Sequence, residues 1–443
     1  MAERGWKHFE ASFTARPVVS WKHSILVFVA CSGKYWQLSN KIWKRSSSRE
    51  CFLSRNLFAA TDVFTDPPAS DLFQAYSGDQ HFGFLLEKKL NQQLSAPSHA
   101  HRSISKLKFV GLSVAAALGA TALLVARRAQ RAERENPAAG KFLDISGVHL
   151  HYREWGEGKP LVLLHGNGTM VQDFEISGLI TLLAREYRVV AFDRPGFGHT
   201  DRPRNRVWGP EAQSELFWHA IGRLGLEHAI VIGHSWGTMV ALALALRHPE
   251  SVRGLVLLSG YYFPSLRLEV PFAVVPAIPI IGDIMRYTIS PLLGRLLARM
   301  VIRKLFSPLP VPHDFRERFP VALALRPSQI RANAAETALM VPAAAALSNR
   351  YGELHLPILI MAGSKDEIVN GERQSSRLHS MLPTSDLVWV EGAGHMVHHA
   401  APEQLVDATR AMLNRPNSAE RDPLTILPSA SRDRRGAAAS SES

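Results

Sequence analysis

The chain has 443 residues, of which 46% are hydrophobic and 20% charged, so it can bury a core and is neither wholly disordered nor collagen-like. Its two cysteines, Cys31 and Cys51, exclude a disulfide scaffold and a cysteine-based zinc site. The net charge is +12, and residues 1–49 carry nine basic against two acidic residues. Zinc-finger spacing, RNA-recognition motifs and basic zipper helices are absent from the sequence. We therefore expect no nucleic-acid partner and favour a membrane surface.

Residues 1–100 show no persistent helical or alternating pattern, which predicts a poorly structured N-terminal extension. The apolar run at residues 25–31 is too short to span a bilayer and is not followed by a clear cleavage site. Two interpretations stay open. Residues 1–60 are basic and poor in acids, as in a transit peptide, or the translation start is placed too far upstream and the protein begins near residue 100.

Residues 109–126 form an uncharged run, FVGLSVAAALGATALLVA. As a helix, this run is roughly 27 Å long, close to the roughly 30 Å of a bilayer core. A buried helix of a soluble protein would show a polar stripe, but only Ser113 and Thr121 are polar here. The run therefore predicts a single transmembrane helix and a single-pass membrane protein. Basic residues flank both ends, so the side of the membrane that holds the catalytic domain stays open.

From residue 141 to about 415, short β-rich runs alternate with helical stretches, which predicts an α/β domain. The central runs are apolar throughout, as expected for strands that helices cover on both faces. The predicted strands are KFLDI, VHLHYRE, PLVLL, YRVVAF, AIVIG, VRGLVLL, PILIMAG and DLVWV. Residues 416–443 are rich in Ser, Ala, Arg and Pro, which predicts a disordered tail.

The strongest catalytic motif is GHSWG at residues 233–237, between the strand AIVI and the helical run TMVALALALRHP. A serine at a tight strand-to-helix turn requires small residues two positions away on either side, and Gly233 and Gly237 provide them. The turn lifts the Ser235 hydroxyl clear of the sheet, and the helix N-terminus stabilises nearby negative charge. This context predicts that Ser235 is a nucleophile.

With this motif, the chain resembles the α/β-hydrolase superfamily over residues 141–415. The resemblance rests on PLVLLHGNG at 160–168, AFDRPGFGHTDRP at 191–203, GHSWG, and GSKDEIV at 363–369 with GAGHMVHH at 392–399. It implies an α/β-hydrolase fold, with a mostly parallel eight-stranded sheet and an inserted helical cap. It also implies the chain order nucleophile, acid, base, which Ser235, Asp366 and His395 satisfy.

The same resemblance implies an oxyanion hole made by the backbone N–H groups of Trp236 and of Asn167 or its neighbour. We expect neither a cofactor nor a metal. Several nearby residues are weaker alternatives for the acid or the base, and we expect them to pack, cap or flank the site. These are Glu367, His165, His234, His398 and His399. Asp193 and Arg194 are expected to brace a turn and to do no chemistry.

Residues from about 264 to 345 separate two strands and form the predicted cap. The segment is strongly apolar and has ten basic against five acidic residues. Apolar helices over an active site favour a lipophilic substrate and exclude water. The sequence therefore predicts a membrane-anchored serine hydrolase that cleaves a lipophilic carboxylic ester by a Ser-His-Asp mechanism. The oligomeric state stays open.

The superfamily includes several other functions. Its epoxide hydrolases and dehalogenases carry Asp as the nucleophile, and the cap has one tyrosine, Tyr287, where epoxide opening uses a pair. A prolyl aminopeptidase-like enzyme also places Trp after the nucleophile, and would require cap acids such as Asp314 and Glu317 to face inward. Cofactor-free haloperoxidases share the triad. A non-catalytic ligand-binding protein on the same scaffold is the alternative from another class.

Overall fold

A computed structural model describes residues 84, 88, 99–267 and 270–415, with side chains in its first long helix from Lys108 onward. The chain divides into two units, and the second, which begins at Arg102, contains everything discussed below except the first three residues of the first helix. Almost all of the predicted extension at 1–100, with both cysteines, lies outside the described residues. The predicted tail at 416–443 lies outside them as well.

The first helix, α1, runs from His99 to Glu135 and contains the whole predicted span at 109–126. Its apolar side chains are exposed, with Phe109 and Leu112 at 72% and 71%. Within the described residues, α1 is the one unbroken helix that is long and apolar enough to cross a membrane. Its C-terminal part differs, because Val125 and Ala132 are buried. The helix is therefore exposed along its apolar part and packed against the domain at its end.

The domain is built on one eight-stranded sheet in the order β1-β2-β4-β3-β5-β6-β7-β8. Strands β1, β2 and β4 pair antiparallel, and all the other pairs are parallel. The predicted mostly parallel eight-stranded sheet is confirmed, and its antiparallel pairs lie at one edge. The strands are β1 Lys141–Ile145, β2 Val148–Trp155, β3 Lys159–Leu164, β4 Tyr187–Phe192, β5 Ala229–His234, β6 Val252–Leu258, β7 Ile358–Gly363 and β8 Ser385–Val390.

Helices cover both faces of the sheet, and alternate strand residues face two separate apolar layers. The helix after β5 is buried over nearly its whole length, which fixes the turn that precedes it. The helices of this part of the domain are α2 Val171–Ile176, α3 Leu179–Leu183, α4 Pro210–Leu224, α5 Trp236–Arg247, α12 Arg377–Met381, α13 Val397–Ala400 and α14 Pro402–Leu413.

The segment between β6 and β7 is helical and occupies the position predicted for the cap. Its helices are α6 Val270–Ala273, α7 Ile281–Tyr287, α8 Ile289–Phe306, α9 His313–Arg318, α10 Val321–Ala324 and α11 Pro327–Ser348. A third apolar cluster joins this cap to the loops that follow β3 and β8. Phe306 and Phe315 from the cap pack there with Met170 and Met396. The cap is therefore seated on the carboxyl ends of the parallel strands.

Candidate active site

Ser235 lies at a sharp turn between the last residue of β5, His234, and the first residue of α5, Trp236. Its φ of 51° and ψ of −116° are unfavourable for a residue with a side chain, and such strain is typical of functional sites. The turn leaves no room beside it. A Cβ atom on Gly237 would lie 2.1 Å from the carbonyl oxygen of Leu164. The Ser235 side chain itself stays partly exposed at the end of the strand.

Asp366 and His395 follow β7 and β8 and form a buried pair. The Nδ1 atom of His395 lies 2.8 Å from Oδ2 of Asp366, and their side chains are 3% and 2% exposed. The other carboxylate oxygen accepts hydrogen bonds from the backbone N–H groups of Ile368 and Val369, at 2.8 and 3.0 Å. Since the carboxylate can only accept, the imidazole donates its Nδ1 proton to it. In the neutral ring this tautomer leaves the lone pair of Nε2 free to act as a base.

The loop that carries His395 lies against the strand that carries Ser235. The Nε2–H group of His234 donates to the carbonyl oxygen of His395 at 3.2 Å, and the two rings are 5.0 Å apart. The described residues contain no hydrogen bond between the Ser235 hydroxyl and the His395 ring. In substrate-free enzymes this bond is often long and tightens only when substrate binds. The cap also contacts the loop, because the N–H of His395 donates to Leu305 at 3.1 Å.

One predicted oxyanion donor directly follows the nucleophile, and the other, Asn167, follows a glycine that packs against it. Trp236 begins α5, and Gly166 packs so close that a Cβ atom on it would lie 3.2 Å from the Cβ of Ser235. Neither the backbone N–H of Trp236 nor that of Asn167 donates to another described residue, so both remain available to a ligand. The Asn167 side chain is held away, because its amide donates to Asn333 and Thr337 of α11 at 3.2 Å each. The Trp236 side chain is buried in the core.

Comparisons with known proteins agree with this geometry. A sequence model of the alpha/beta hydrolase fold family matches residues 159–402, more than half of the chain. The chain belongs to the α/β hydrolase fold family. A 2-hydroxymuconate semialdehyde hydrolase from Pseudomonas sp. strain CF600 is 36% identical over 139 residues, 30% of this chain and 48% of that protein. The matched part of this chain thus spans about half of that relative.

Another relative is matched over more of its length. Haloalkane dehalogenase 2 of Mycobacterium tuberculosis strain H37Rv is 27% identical over 282 residues, 61% of this chain and 94% of that protein. Among solved structures, an esterase from Exiguobacterium antarcticum has a TM-score of 0.52 at 20% identity, and covers 62% of this chain and 100% of its own. The structural likeness supports the fold, and the sequence relatives are hydrolases of more than one kind.

In this α/β hydrolase, His165 braces the loop that carries the oxyanion donor. Its Nε2 accepts from the N–H of Arg194 at 2.9 Å, and its Nδ1–H donates to the carbonyl of Gly166 at 2.8 Å. Burial, and then the Arg194 charge, lower the pKa of His165 to about 3. The ring is therefore neutral and structural, as the sequence predicted, and it is not placed to take a proton from Ser235.

The partner of Arg194 was not predicted from the sequence. The fully buried guanidinium forms a bidentate pair with Glu336 of α11, at 2.6 and 2.9 Å. Arg194 also donates to the carbonyl oxygens of His165 and Gly166, at 2.7 and 2.9 Å. The pair thus connects the cap to the loop beside the nucleophile. A lone acid in the alanine-rich segment ANAAETALM was the signal that could have indicated a buried partner.

A second buried cluster lies behind His395. Oδ1 of Asp173 accepts from Nε2–H of His399 at 2.8 Å, and Nε2 of His398 lies 3.3 Å away without the alignment of a hydrogen bond. Although burial alone would raise it, His398 and His399 bring the pKa of Asp173 well below its usual range. Burial lowers the pKa of His398, more than the Asp173 charge raises it.

Histidine and carboxylate side chains of this kind can ligate a metal, and atoms of Asp173, His234 and His398 lie within 4.8 Å of one another. The expectation that no metal is required stays a prediction.

Proposed function

We propose that this chain is a membrane-anchored serine hydrolase that cleaves a carboxylic ester with a lipophilic acyl or alcohol group. The observation that carries the proposal is the strained Ser235 at the end of β5, beside the loop in which Asp366 fixes the Nδ1 proton of His395. A serine needs a base to become a nucleophile at neutral pH, and a base needs a defined tautomer. His395 would supply the base, and Asp366 would set its tautomer.

The reaction would proceed in two balanced halves. The Nε2 atom of His395 takes the proton of the Ser235 hydroxyl as the oxygen attacks the ester carbonyl carbon. The N–H groups of Trp236 and Asn167 hold the negative oxygen of the tetrahedral intermediate. His395 then passes its proton to the departing alkoxide, which leaves as the alcohol and an acyl-enzyme. Water repeats the sequence on the acyl-enzyme and releases the acid and free Ser235.

Three observations support an ester with a lipophilic part. Serine, rather than aspartate, occupies the nucleophile position, which favours acyl transfer over the alkyl displacement of dehalogenase relatives. The cap is apolar and extends over the strand ends. The exposed apolar part of α1 precedes the domain directly, so the active site would lie close to a bilayer. Hydrolase relatives at 36% and 27% identity support hydrolysis without specifying the bond.

A prolyl aminopeptidase-like function is less well supported. It would need acidic cap residues that face the active site and bind a substrate ammonium group. Asp314 and Glu317 are both exposed on α9, with the Asp314 side chain at 64%. A haloperoxidase would use the same three residues, so its distinguishing test is halide-dependent peracid chemistry in place of ester turnover.

The test is labelling and turnover by the full-length protein in a neutral detergent. We expect a fluorophosphonate probe to label the wild-type enzyme and a panel of p-nitrophenyl esters to be hydrolysed, with a preference for longer acyl chains. Ser235→Ala should abolish labelling and lower kcat by a factor on the order of 10⁶, with unchanged thermal unfolding. Ser348→Ala, at the end of α11, is the matched serine control and should behave like wild type.

Two results would contradict the proposal. If folded Ser235→Ala is labelled and hydrolyses esters at the wild-type level, this serine is not the nucleophile. Folded wild-type protein that neither labels nor hydrolyses any ester would favour a ligand-binding protein. The anchor is tested separately by alkaline carbonate extraction of membranes, where we expect the intact chain in the pellet. Release into the supernatant would contradict a spanning α1.

A further inference from the structure

A cavity of about 580 Å³ opens where α1, the cap and the turn after β4 meet, away from Ser235 and His395. Its volume is in the range of ligand-binding sites. The lining is dominated by arginine side chains from two separate parts of the domain. These are Arg202 and Arg204 from the turn, and Arg286, Arg326 and Arg331 from the cap. Glu133 of α1 and Asp201 also line it, so positive charge is in excess.

Two of the arginines already pair with a carboxylate and a backbone carbonyl. Arg326 donates to Glu133 of α1 at 2.6 Å and to the carbonyl oxygens of Leu323 and Gly198. Arg202 donates to Pro195 at 2.8 Å and lies 3.6 Å from Glu336. These two side chains hold the three structural parts together, which gives the cavity a defined shape.

The other three arginines have too few neighbouring carboxylates to neutralise their charges. Asp283 is within ion-pairing distance of both Arg286 and Arg204, so one carboxylate serves two guanidinium groups. Arg331 has no ion pair or hydrogen bond with any described residue. The Arg286 side chain is only 3% exposed, and its buried Nε–H group has no hydrogen-bond partner among the described residues. A buried, unused donor of this kind usually faces water or a ligand.

The electrostatics agree with an excess of positive charge. Burial, and then the charges of Arg204 and Arg331, lower the pKa of Arg286 to about 10. Burial and Arg204 lower the pKa of Arg331 as well. Arginines whose charges repel one another in a partly buried space are stabilised by an anion, and guanidinium groups match phosphate oxygens in geometry.

From these observations we infer that the cavity binds a phosphate group, with Arg286, Arg331 and Arg204 as its ligands. The phosphate can belong to a membrane lipid or to a soluble phosphate compound. The position favours the lipid, on the proposal that α1 spans a membrane. Glu133 follows Ala126, the end of the apolar run, by seven residues, or roughly 10 Å of helix. That places Glu133 roughly 2–5 Å outside a headgroup layer roughly 5–8 Å thick, so the cavity would lie next to the headgroups.

The cavity also has an apolar neighbour suited to acyl chains. Side chains of α7, the helix that carries Arg286, and of the residue before it are exposed, with Ile280, Ile281 and Ile284 at 74%, 56% and 53%, although none of the three lines the cavity. An arginine-lined cavity next to a helix with exposed apolar side chains fits an anionic phospholipid better than inorganic phosphate. The inference does not depend on Ser235 chemistry, because none of the cavity residues belongs to the catalytic site.

Isothermal titration calorimetry of the full-length protein in neutral detergent tests the site. The titrants are dihexanoylphosphatidic acid, dihexanoylphosphatidylcholine and inorganic phosphate. We expect phosphatidic acid to bind at least tenfold more tightly than inorganic phosphate, and phosphatidylcholine to bind weakly. Arg331→Gln should weaken phosphatidic acid binding at least tenfold, the loss of one charge-assisted interaction. Arg286→Gln should do the same if it folds. Arg253→Gln, at the amino end of β6, is the exposed control and should bind like wild type.

The outcomes separate the possibilities. Equal affinity for inorganic phosphate and phosphatidic acid, both lost in Arg331→Gln, supports the phosphate site with a soluble source. If neither phosphatidic acid nor inorganic phosphate binds, the inference is overturned. It is also overturned if folded Arg331→Gln binds them as tightly as wild type. Ser235→Ala should bind phosphatidic acid like wild type. Wild-type protein that hydrolyses no ester but still binds phosphatidic acid would therefore contradict the proposed hydrolysis and support this phosphate site.

Discussion

The Arg194–Glu336 pair offers a test of how the cap and the oxyanion loop depend on one another. Both side chains are completely buried, and Gln213 donates a further hydrogen bond to Glu336 at 2.9 Å. Glu336→Gln preserves size and removes the negative charge. The Arg194 guanidinium would then be a buried, uncompensated cation. Breaking a buried pair by removing one partner costs about 3–5 kcal/mol of unfolding free energy.

A second buried cation raises the expected cost. Arg202 lies 3.6 Å from Glu336, and burial already lowers its pKa to about 10 despite that carboxylate. We therefore expect the Glu336→Gln loss at the upper end of this range. Glu336 touches no reacting atom and acts as a positioning residue through Arg194. The fall in kcat should be smaller than the roughly 10²–10³-fold caused by removing an oxyanion donor, with KM little changed.

The assay is urea unfolding of the full-length protein in neutral detergent, together with ester turnover. Glu353→Gln is the matched control, since Glu353 pairs with Arg350 at 2.7 Å with both side chains about half exposed. Exposed pairs contribute about 0–1 kcal/mol. An Arg194→Met, Glu336→Leu double variant should recover part of the lost stability, because the buried Arg194 charge is gone and only Arg202 is left without its carboxylate. Equal losses for Glu336→Gln and Glu353→Gln would refute the reasoning.

Three further predictions concern single residues. Asp366→Asn should lower kcat by a factor on the order of 10⁴ without unfolding, because an amide does not hold the His395 tautomer, and near-wild-type ester turnover would contradict this. The pKa of His165 is about 3 in the folded state and about 6.5 when unfolded, so the unfolded chain binds more protons and stability falls as pH drops from 6.5 towards 3. Its contribution at pH 5 should be about 2 kcal/mol smaller than at pH 7, and urea unfolding of His165→Gln should lack this part of the pH dependence. Gly237→Ala should unfold the domain or abolish turnover, because its Cβ atom would meet a backbone oxygen at 2.1 Å. The control Gly222→Ala in α4 has open space around its Cβ atom. It should raise the free energy of unfolding by about 0.5–1 kcal/mol in the same urea assay.

Much of the candidate site was predictable because its information is local. The turn at Ser235 is specified by the two glycines beside it, the strand before it and the helix after it. Asp366 and His395 were placed by following two apolar strands, because the carboxyl ends of parallel strands meet at one edge of a sheet. The structure puts the two side chains 2.8 Å apart, as that argument requires.

Other features could not be predicted, because they depend on residues that are distant along the chain. Glu336 meets Arg194 across 142 residues, and Asp173 meets His399 across 226. No local pattern specifies such a pair. The arginine cavity is a stronger case, since Arg204 and Arg331 are each unremarkable in their own segments and matter only where the cap, the turn and α1 converge.

The sequence by itself determined the family, the order of the strands along the chain, the nucleophile turn and the apolar run of α1, because each of these is encoded in a continuous stretch of residues. Only the tertiary structure decided which charges are buried together, which imidazole nitrogen carries the proton and where the arginines collect. Burial and electrostatic interaction act through space, so their partners become visible only when the chain has folded.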